Sequence, residues 1–324
     1  MRRSRAARAA TLAAALVLAG CASRGPQLPP VAASGLPASV ELESTPFFPQ
    51  EDYQCGPAAL ATVLVASGVK VSPDNLVSEV YLPGRKGSLQ AELVAAARSR
   101  GRLPYLLPPS LDDVLAQLAA GHPVLVLQKT GAGPWPGWHY AVVIGYDASR
   151  DRLVLRSGAD SRLDMSASHF RATWDRADRW AMTALEPGQL PAMADFGRYM
   201  EAAAGLEAVG RLDDAEQAYR AAVQHWPGES LPRLALANIA LARGDEAAAE
   251  RELRAALSLA PDDVAARNNL AEVLRLMGCP ESARREISTA ARLAADGPLA
   301  AAVAATQHRI DASSGPDGPG CPAD

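Results

Sequence analysis

The chain has 324 residues, enough for two domains of roughly 100–200 residues each. Its composition, 48% hydrophobic and 21% charged residues, is that of a globular protein and excludes wholesale disorder. The net charge of −4 shows no basic surplus, so no nucleic-acid partner is expected, and four cysteines are too few for a disulfide framework.

The first 21 residues have the pattern of an export signal. Arginines at positions 2, 3, 5 and 8 precede an apolar stretch over 9–19, which is shorter than the ~20 residues of a membrane-spanning helix. Leu18-Ala19-Gly20-Cys21 resembles the bacterial lipobox. The resemblance implies lipidation at Cys21, and the following Ala-Ser pair implies the periplasmic face of the outer membrane. A plain secretory signal with a coincidental cysteine is the alternative.

Residues 22–46 show neither a helical nor a strand period. Five prolines stand among mostly small residues there, a composition typical of a partly flexible, partly extended tether. We therefore expect the first domain to begin near residue 47.

Residues 47–190 predict a mixed domain in which helices precede an antiparallel sheet, an α+β arrangement. Apolar spacing, cap-like residues and stop glycines indicate four helices, over 55–66, 73–80, 88–100 and 110–120. Short apolar runs then indicate four strands, over 123–128, 140–146, 152–156 and 179–185.

A cysteine and a histidine stand at the starts of two of these elements. Cys55 begins a predicted helix with Gln50 five residues before it, and about 85 residues later His139 begins a strand followed by Tyr140 and apolar residues. In this order the segments resemble the cysteine peptidases that cut double-glycine leaders from bacteriocin precursors, over roughly 46–175. The resemblance implies a papain-like fold.

Physical chemistry supports that pairing. A helix N-terminus and a neighbouring imidazole both favour the thiolate, so Cys55 is expected to be the nucleophile and His139 the general base and acid. The side-chain amide of Gln50, with the backbone N–H of Cys55, is the expected oxyanion donor.

The third catalytic position departs from the family pattern. The resemblance implies an aspartate followed by proline, but the aligned residues here are Ser157 and Gly158. A serine hydroxyl can accept from an imidazole N–H, yet it cannot stabilise imidazolium as a carboxylate does. Ser157 and Asp160 stay open as the residue that orients His139, and Asp164 is a poorer candidate.

The C-terminal half contains an internal repeat. Gly210, Gly244 and Gly278 are 34 residues apart, and alanines recur at the same interval. The pattern resembles tetratricopeptide repeats over 196–229, 230–263 and 264–297, with a capping helix within 191–311. The aromatic position of the first helix holds Tyr199 but then Arg233 and Arg267.

Such arrays often bind peptide segments or protein partners on their concave face, and the alternative is that the repeats only pack or dimerise. Five polar residues fall on the first helices and are candidates for hydrogen bonds to a peptide backbone: Asn238, Arg267, Asn268, Asn269 and Arg275.

Residues 312–324 are rich in Gly, Pro, Ser and Asp and predict a disordered tail. Whether Cys279 and Cys321 form a disulfide stays open. No Cys/His group has zinc-ligand spacing and no glycine-rich loop has the residues of a P-loop, so neither a metal nor a cofactor is expected.

Three functions fit these patterns. The leading hypothesis is a lipid-anchored periplasmic thiol peptidase that cleaves a peptide or protein, with repeats that bind the substrate or a partner. The second is a non-catalytic envelope scaffold, motivated by the substituted third position. The third is an amidase acting on cell-wall peptides.

Overall fold

The computed structural model describes residues 27–50, 54–131, 137–313, 315–318 and 321. The predicted export signal and the predicted lipidation site, Cys21, lie outside these residues. Up to residue 185 the described chain forms five α-helices, two 3-10 helices (Val31–Ser34 and Pro83–Arg85) and seven strands. The helices are α1 (Cys55–Ala66), α2 (Pro73–Val80), α3 (Gln90–Ser99), α4 (Leu111–Ala119) and α5 (Ala167–Asp175). The strands are β1 (Ser39–Glu41), β2 (Leu103–Leu106), β3 (Val124–Thr130), β4 (Gly137–Asp147), β5 (Arg152–Ser157), β6 (Asp160–Ser166) and β7 (Ala181–Leu185).

The strands form one antiparallel sheet in the order β2-β7-β3-β4-β5-β6, and β1 pairs with the far end of β4. The four predicted helices and the four predicted strands are present with small shifts at their ends. β2, β6 and α5 were not predicted. β2 has only four residues and contains Pro104, and β6 is mostly exposed and polar, so neither shows the alternation of a half-buried strand.

Helices cover both faces of the sheet. Apolar residues of α1, α2 and α3 pack on the face that carries Tyr140, Val142 and Ile144. Residues of α4 and α5 pack on the opposite face, which carries Ala141 and Val143. Because side chains alternate between the two faces along β4, Tyr140 points toward α1 and His139 belongs to the opposite face of the sheet.

The segment expected to be a tether joins the sheet. The backbone N–H of Leu28 donates to Asp151 Oδ1 at 2.6 Å, and β1 pairs with the last residues of β4. A Cβ at Gly145 would lie 2.4 Å from Val40 O, so glycine is needed where β1 meets β4. The tether prediction is therefore wrong from residue 28 onward. The sequence did not reveal β1 because a strand of three residues is too short to show a period.

Seven helices follow between residues 196 and 311. They are α6 (Phe196–Ala208), α7 (Leu212–His225), α8 (Leu231–Ala242), α9 (Glu246–Leu259), α10 (Val264–Leu276), α11 (Pro280–Ala294) and α12 (Ala300–Asp311). Gly210, Gly244 and Gly278 each have φ near +75° (77°, 72° and 77°) at the turn inside a helix pair, a conformation that glycine adopts without strain. None of the helices in the described part of the chain is long and apolar enough to cross a membrane.

The two repeats that lack the aromatic residue replace it with an ion pair. Arg233 contacts Glu252 at 3.2 Å, and Arg267 contacts Glu286 at 2.6 Å. Both pairs join the first helix of a repeat to its second helix, and both span the same 19 residues of sequence. The side chains are half-buried, so each pair links the two helices where a ring would otherwise pack.

The first repeat packs directly on the sheet domain. Tyr199 and Leu206 of α6 belong to the same buried cluster as Tyr105 of β2. The backbone N–H of Asp195 donates to Tyr105 Oη at 3.1 Å, and the Arg198 guanidinium donates to Leu106 O at 3.4 Å. The two regions therefore share one continuous hydrophobic core.

The described part of the C-terminal tail is held against the last repeat, unlike the disordered segment that its composition predicts. Cys279 and Cys321 form a disulfide. Asp317 accepts from the backbone N–H of Glu281 and from Ser282 Oγ, both at 2.6 Å, and so caps the start of α11. The disulfide and the Asp317 cap both join residues that are far apart in the sequence, so composition could not predict them.

We predict that Cys321→Ser destabilises the last repeat by about 2–4 kcal/mol, because the disulfide closes a loop that is otherwise free in the unfolded chain. Thermal unfolding of the unlipidated protein, with and without reductant, measures the effect. Reductant should lower the midpoint of the parent protein and leave the variant unchanged. Equal midpoints for parent and variant without reductant would contradict the prediction.

Candidate active site

Cys55 is the first residue of α1 and is half-buried. It is the one free cysteine among the described residues. Pro57 stands in the first turn, where its missing N–H removes no helical hydrogen bond. A Cβ at Gly56 would lie 2.2 Å from Ser88 Oγ, so a side chain at position 56 would displace the segment that borders the thiol.

The chain ahead of α1 runs beside the first residues of β4. The backbone N–H of Gln50 donates to Gly158 O at 3.1 Å, and its side-chain amide donates to Tyr140 O at 3.3 Å. The backbone of Tyr140 also hydrogen-bonds to the Cys55 thiol. Gln50 and Cys55 therefore both contact the backbone of Tyr140. Residues 51–53 lie outside the described residues.

His139 is held by the neighbouring strand. Its Nε2 lies 2.8 Å from Ser157 Oγ, and Ser157 is only 9% exposed. Of the two alternatives for the orienting residue, Ser157 makes this contact. Asp160 is exposed at the start of β6, and Asp164 pairs with Arg162 at 2.9 Å. Among the described residues, the Cys55 thiol makes no hydrogen bond to the His139 ring.

Burial keeps both reacting groups neutral in the resting site. It raises the pKa of the Cys55 thiol, and backbone hydrogen bonds from Tyr140, Gly56 and Cys55 itself offset that rise only in part. It also lowers the pKa of His139. The sequence argument favours a thiolate and an imidazolium, whereas desolvation in the structure favours a neutral thiol at Cys55 and a neutral imidazole at His139.

Ser157 leaves the ring tautomer undetermined. A hydroxyl can donate or accept, whereas a carboxylate only accepts and therefore holds the proton on the ring nitrogen that faces it. The contact through Nε2 leaves Nδ1 as the ring nitrogen that would exchange a proton with the thiol. Ser157 orients the ring, but it supplies no charge to stabilise imidazolium.

Aromatic side chains border the site on the thiol side. Trp138 is 54% exposed, with Lys129 Nζ 5.2 Å from its ring centre, so it does not cover the core. Tyr140 packs edge-on against Trp180 with ring centres 5.9 Å apart, and its hydroxyl donates to Ser88 O. Residues 132–136, which include Trp135, lie outside the described residues.

Sequence reasoning missed two contributors to the site. The backbone of Tyr140 contacts the thiol, and Ser88 packs against Gly56, with its Oγ buried and without a hydrogen-bond partner. The residue types alone could not have identified them. Tyr140 acts through its backbone, and Ser88 acts through a close approach to Gly56, which is distant in the sequence.

The site thus has a thiol at a helix start and an imidazole on the strand whose backbone contacts that thiol. Residues 42–182 match the family model of the peptidase C39-like family. The predicted resemblance and the predicted fold class, an α+β peptidase-type domain followed by a helical repeat array, are confirmed by this match and by the helix pairs beyond residue 196.

Among solved structures, a Bacillus anthracis protein described as a C39-like peptidase is 17% identical, covering 46% of this chain and 98% of that chain at a TM-score of 0.39. The Yersinia enterocolitica type III secretion translocator chaperone SycD is 19% identical, covering 36% and 83% at a TM-score of 0.34. The TPR2B domain of yeast Sti1, in complex with pHsp70, is 15% identical, covering 36% and 98% at 0.34. A comparison with curated proteins finds no match.

We predict that alkylation of Cys55 rises with pH through an inflection above ~8.5, the ordinary value of a free thiol, because burial raises its pKa. The rate of iodoacetamide labelling from pH 5 to 11 measures it, in a Cys21→Ser background where Cys55 is the free thiol. His139→Ala should shift the inflection little, since a neutral imidazole does not stabilise the thiolate. An inflection below ~8.5 that rises without His139 would show a resting ion pair instead.

Proposed function

We propose that this protein is a lipid-anchored periplasmic cysteine peptidase whose repeats bind its substrate or a partner. The observation that carries the catalytic part is the grouping of Gln50, Cys55 and the start of β4, with His139 bonded to Ser157 at 2.8 Å. The peptidase C39-like match over residues 42–182 supports the same class of reaction.

The proposed reaction begins from the neutral pair. The Cys55 thiol passes its proton to His139 as Sγ bonds to the carbonyl carbon of the substrate, and the carbonyl π electrons move to oxygen. The Cys55 backbone N–H and the Gln50 amide then donate to that oxyanion, so the Gln50 amide must leave the carbonyl of Tyr140.

The second half of the reaction returns the enzyme to its resting state. The imidazolium of His139 protonates the leaving amine as the C–N bond breaks, which leaves a thioester on Cys55. A water molecule then attacks the thioester with His139 as base, and the proton returns to the thiolate as the acid leaves. Because both groups start uncharged, substrate binding must assist the first proton transfer.

The proposed anchoring rests on the sequence over 18–21, with lipid at Cys21 and the domain on the periplasmic face of the outer membrane. Acyl chains at one residue hold a protein on a membrane surface and do not insert it. The domain that follows would thus work in the periplasm beside the bilayer.

The repeats offer polar groups for a peptide. Asn269 donates to Asn238 Oδ1 at 2.9 Å between the first helices of successive repeats. Asn268 Oδ1 is buried without a partner. Arg267 and Arg275 are instead paired with Glu286 and Glu272 within the array. The three asparagines and not the arginines therefore support the proposed binding of a peptide backbone.

A non-catalytic, peptide-binding scaffold is the second candidate, and two observations favour it. The thiol pKa is raised by burial, and the third catalytic position holds a hydroxyl in place of a carboxylate. Turnover separates the two candidates, because a scaffold would bind peptides without cutting them.

Cys55→Ala and His139→Ala should each lower peptide hydrolysis by roughly 10³-fold or more, since each removes a group that makes or breaks bonds. The assay incubates unlipidated protein with a mixed peptide library that includes Gly-Gly and Gly-Ala sequences, and mass spectrometry detects new termini. Asp160→Asn, an exposed change beside the site, is the matched control and should retain activity. Peptide binding with no cleavage by the parent protein would establish the scaffold.

Ser157→Asp should increase turnover and move the Cys55 alkylation inflection downward by roughly one pH unit or more, because a carboxylate beside the imidazole stabilises imidazolium. Ser157→Ala removes the hydrogen bond without adding charge and should lower turnover. Circular dichroism confirms that both variants fold. An unchanged inflection in folded Ser157→Asp would show that position 157 does not act through His139.

A further inference from the structure

The chain enters the fold at one particular corner of the sheet. The backbone N–H of Leu28 is bonded to Asp151 Oδ1 at 2.6 Å, and Ala148 N–H donates to Ala38 O at 2.9 Å. Residues 147–151 form the turn between β4 and β5. The N-terminal segment is thus fastened to this turn, which we call the anchor corner.

The candidate active site lies at the opposite end of the same strand. β4 begins at Gly137 and ends at Asp147, and both His139 and the Tyr140 backbone that contacts Cys55 belong to its first four residues. At ~3.3 Å per residue, Tyr140 and Asp147 are roughly 23 Å apart along the strand. The site and the anchor corner therefore lie at opposite ends of β4.

The distance available between a lipidated Cys21 and Leu28 is short. Six residues lie between the two positions, which makes seven steps from one Cα to the next. A fully extended chain spans at most ~3.6 Å per residue, so these seven steps reach no further than about 25 Å. A pose with the site resting on the bilayer would need this segment stretched almost to its limit, at a large entropic cost.

We propose that the anchor corner faces the lipid bilayer and that the active site opens away from it, into the periplasm. This inference rests on the proposed lipidation of Cys21. The short connection restrains one end of β4 near the headgroups, and the length of the strand holds the other end clear of them. Substrates therefore reach the site from the aqueous side and not from the membrane.

The charges at the anchor corner are compatible with a membrane surface but do not by themselves select one. Arg150, 81% exposed at its side chain, lies 3.6 Å from Asp147, and Arg162 is paired with Glu41 and Asp164. The three carboxylates outnumber the two arginines there, so the connection to Leu28, and not electrostatic attraction to anionic lipid, sets the orientation.

Fluorescence quenching in vesicles tests this orientation. Lipidated full-length protein is purified from bacterial membranes in a Cys55→Ser background, and a dye is attached at Arg150→Cys or at Lys129→Cys. Lys129 pairs with Trp138 at the active-site end of β4. The proteins are reconstituted into phospholipid vesicles that carry a quencher on the lipid headgroup.

We expect several-fold stronger quenching at position 150 than at position 129. Equal quenching at both positions, or stronger quenching at 129, would overturn the orientation. Cys21→Ser versions of both proteins are the controls and should show no quenching. If the Cys21-containing protein does not sediment with vesicles, the anchor and this inference both fail, whereas peptide hydrolysis by the unlipidated protein would still test the catalytic proposal separately.

Discussion

The pairing of β4 with its neighbours is the constraint on which the rest of the domain depends. β3 and β5 hold this strand on both sides, and the register with β5 brings His139 within 2.8 Å of Ser157. The same strand presents the backbone of Tyr140 to the thiol of Cys55, and its far end receives β1. Cys55, His139 and the N-terminal segment thus all depend on one antiparallel strand for their positions.

Burial gives the site its character. Burial raises the pKa of the Cys55 thiol and lowers that of His139, so both groups resist charging and slow alkylation at neutral pH is expected. In related arrangements a carboxylate offsets this cost by stabilising imidazolium. Ser157 contacts the ring but carries no charge, so on the proposed function the bound substrate must assist the first proton transfer.

The sequence predicts those parts of the structure that local patterns control. The bounds of α1 follow from the Cys-Gly-Pro start and the apolar run behind it, and the helix pairs follow from small residues at a 34-residue interval. It misses the parts that depend on distant contacts. β1 and β6 are too short or too polar to show a period, and the cap that Asp317 provides for α11 joins segments 35 residues apart. The direction of the Cys55 pKa change was missed for the same reason, because desolvation is a property of the folded core.

The continuous core between β2 and the first repeat has a mechanical consequence. Tyr199 and Leu206 pack with Tyr105, so the first repeat contacts the edge of the sheet directly and shares its hydrophobic core. On the proposed function, a peptide held in the array would lie at a set distance from Cys55. The number of residues between the docking sequence and the scissile bond would then be fixed by the geometry of the enzyme, and the array would act as a ruler as well as a receptor.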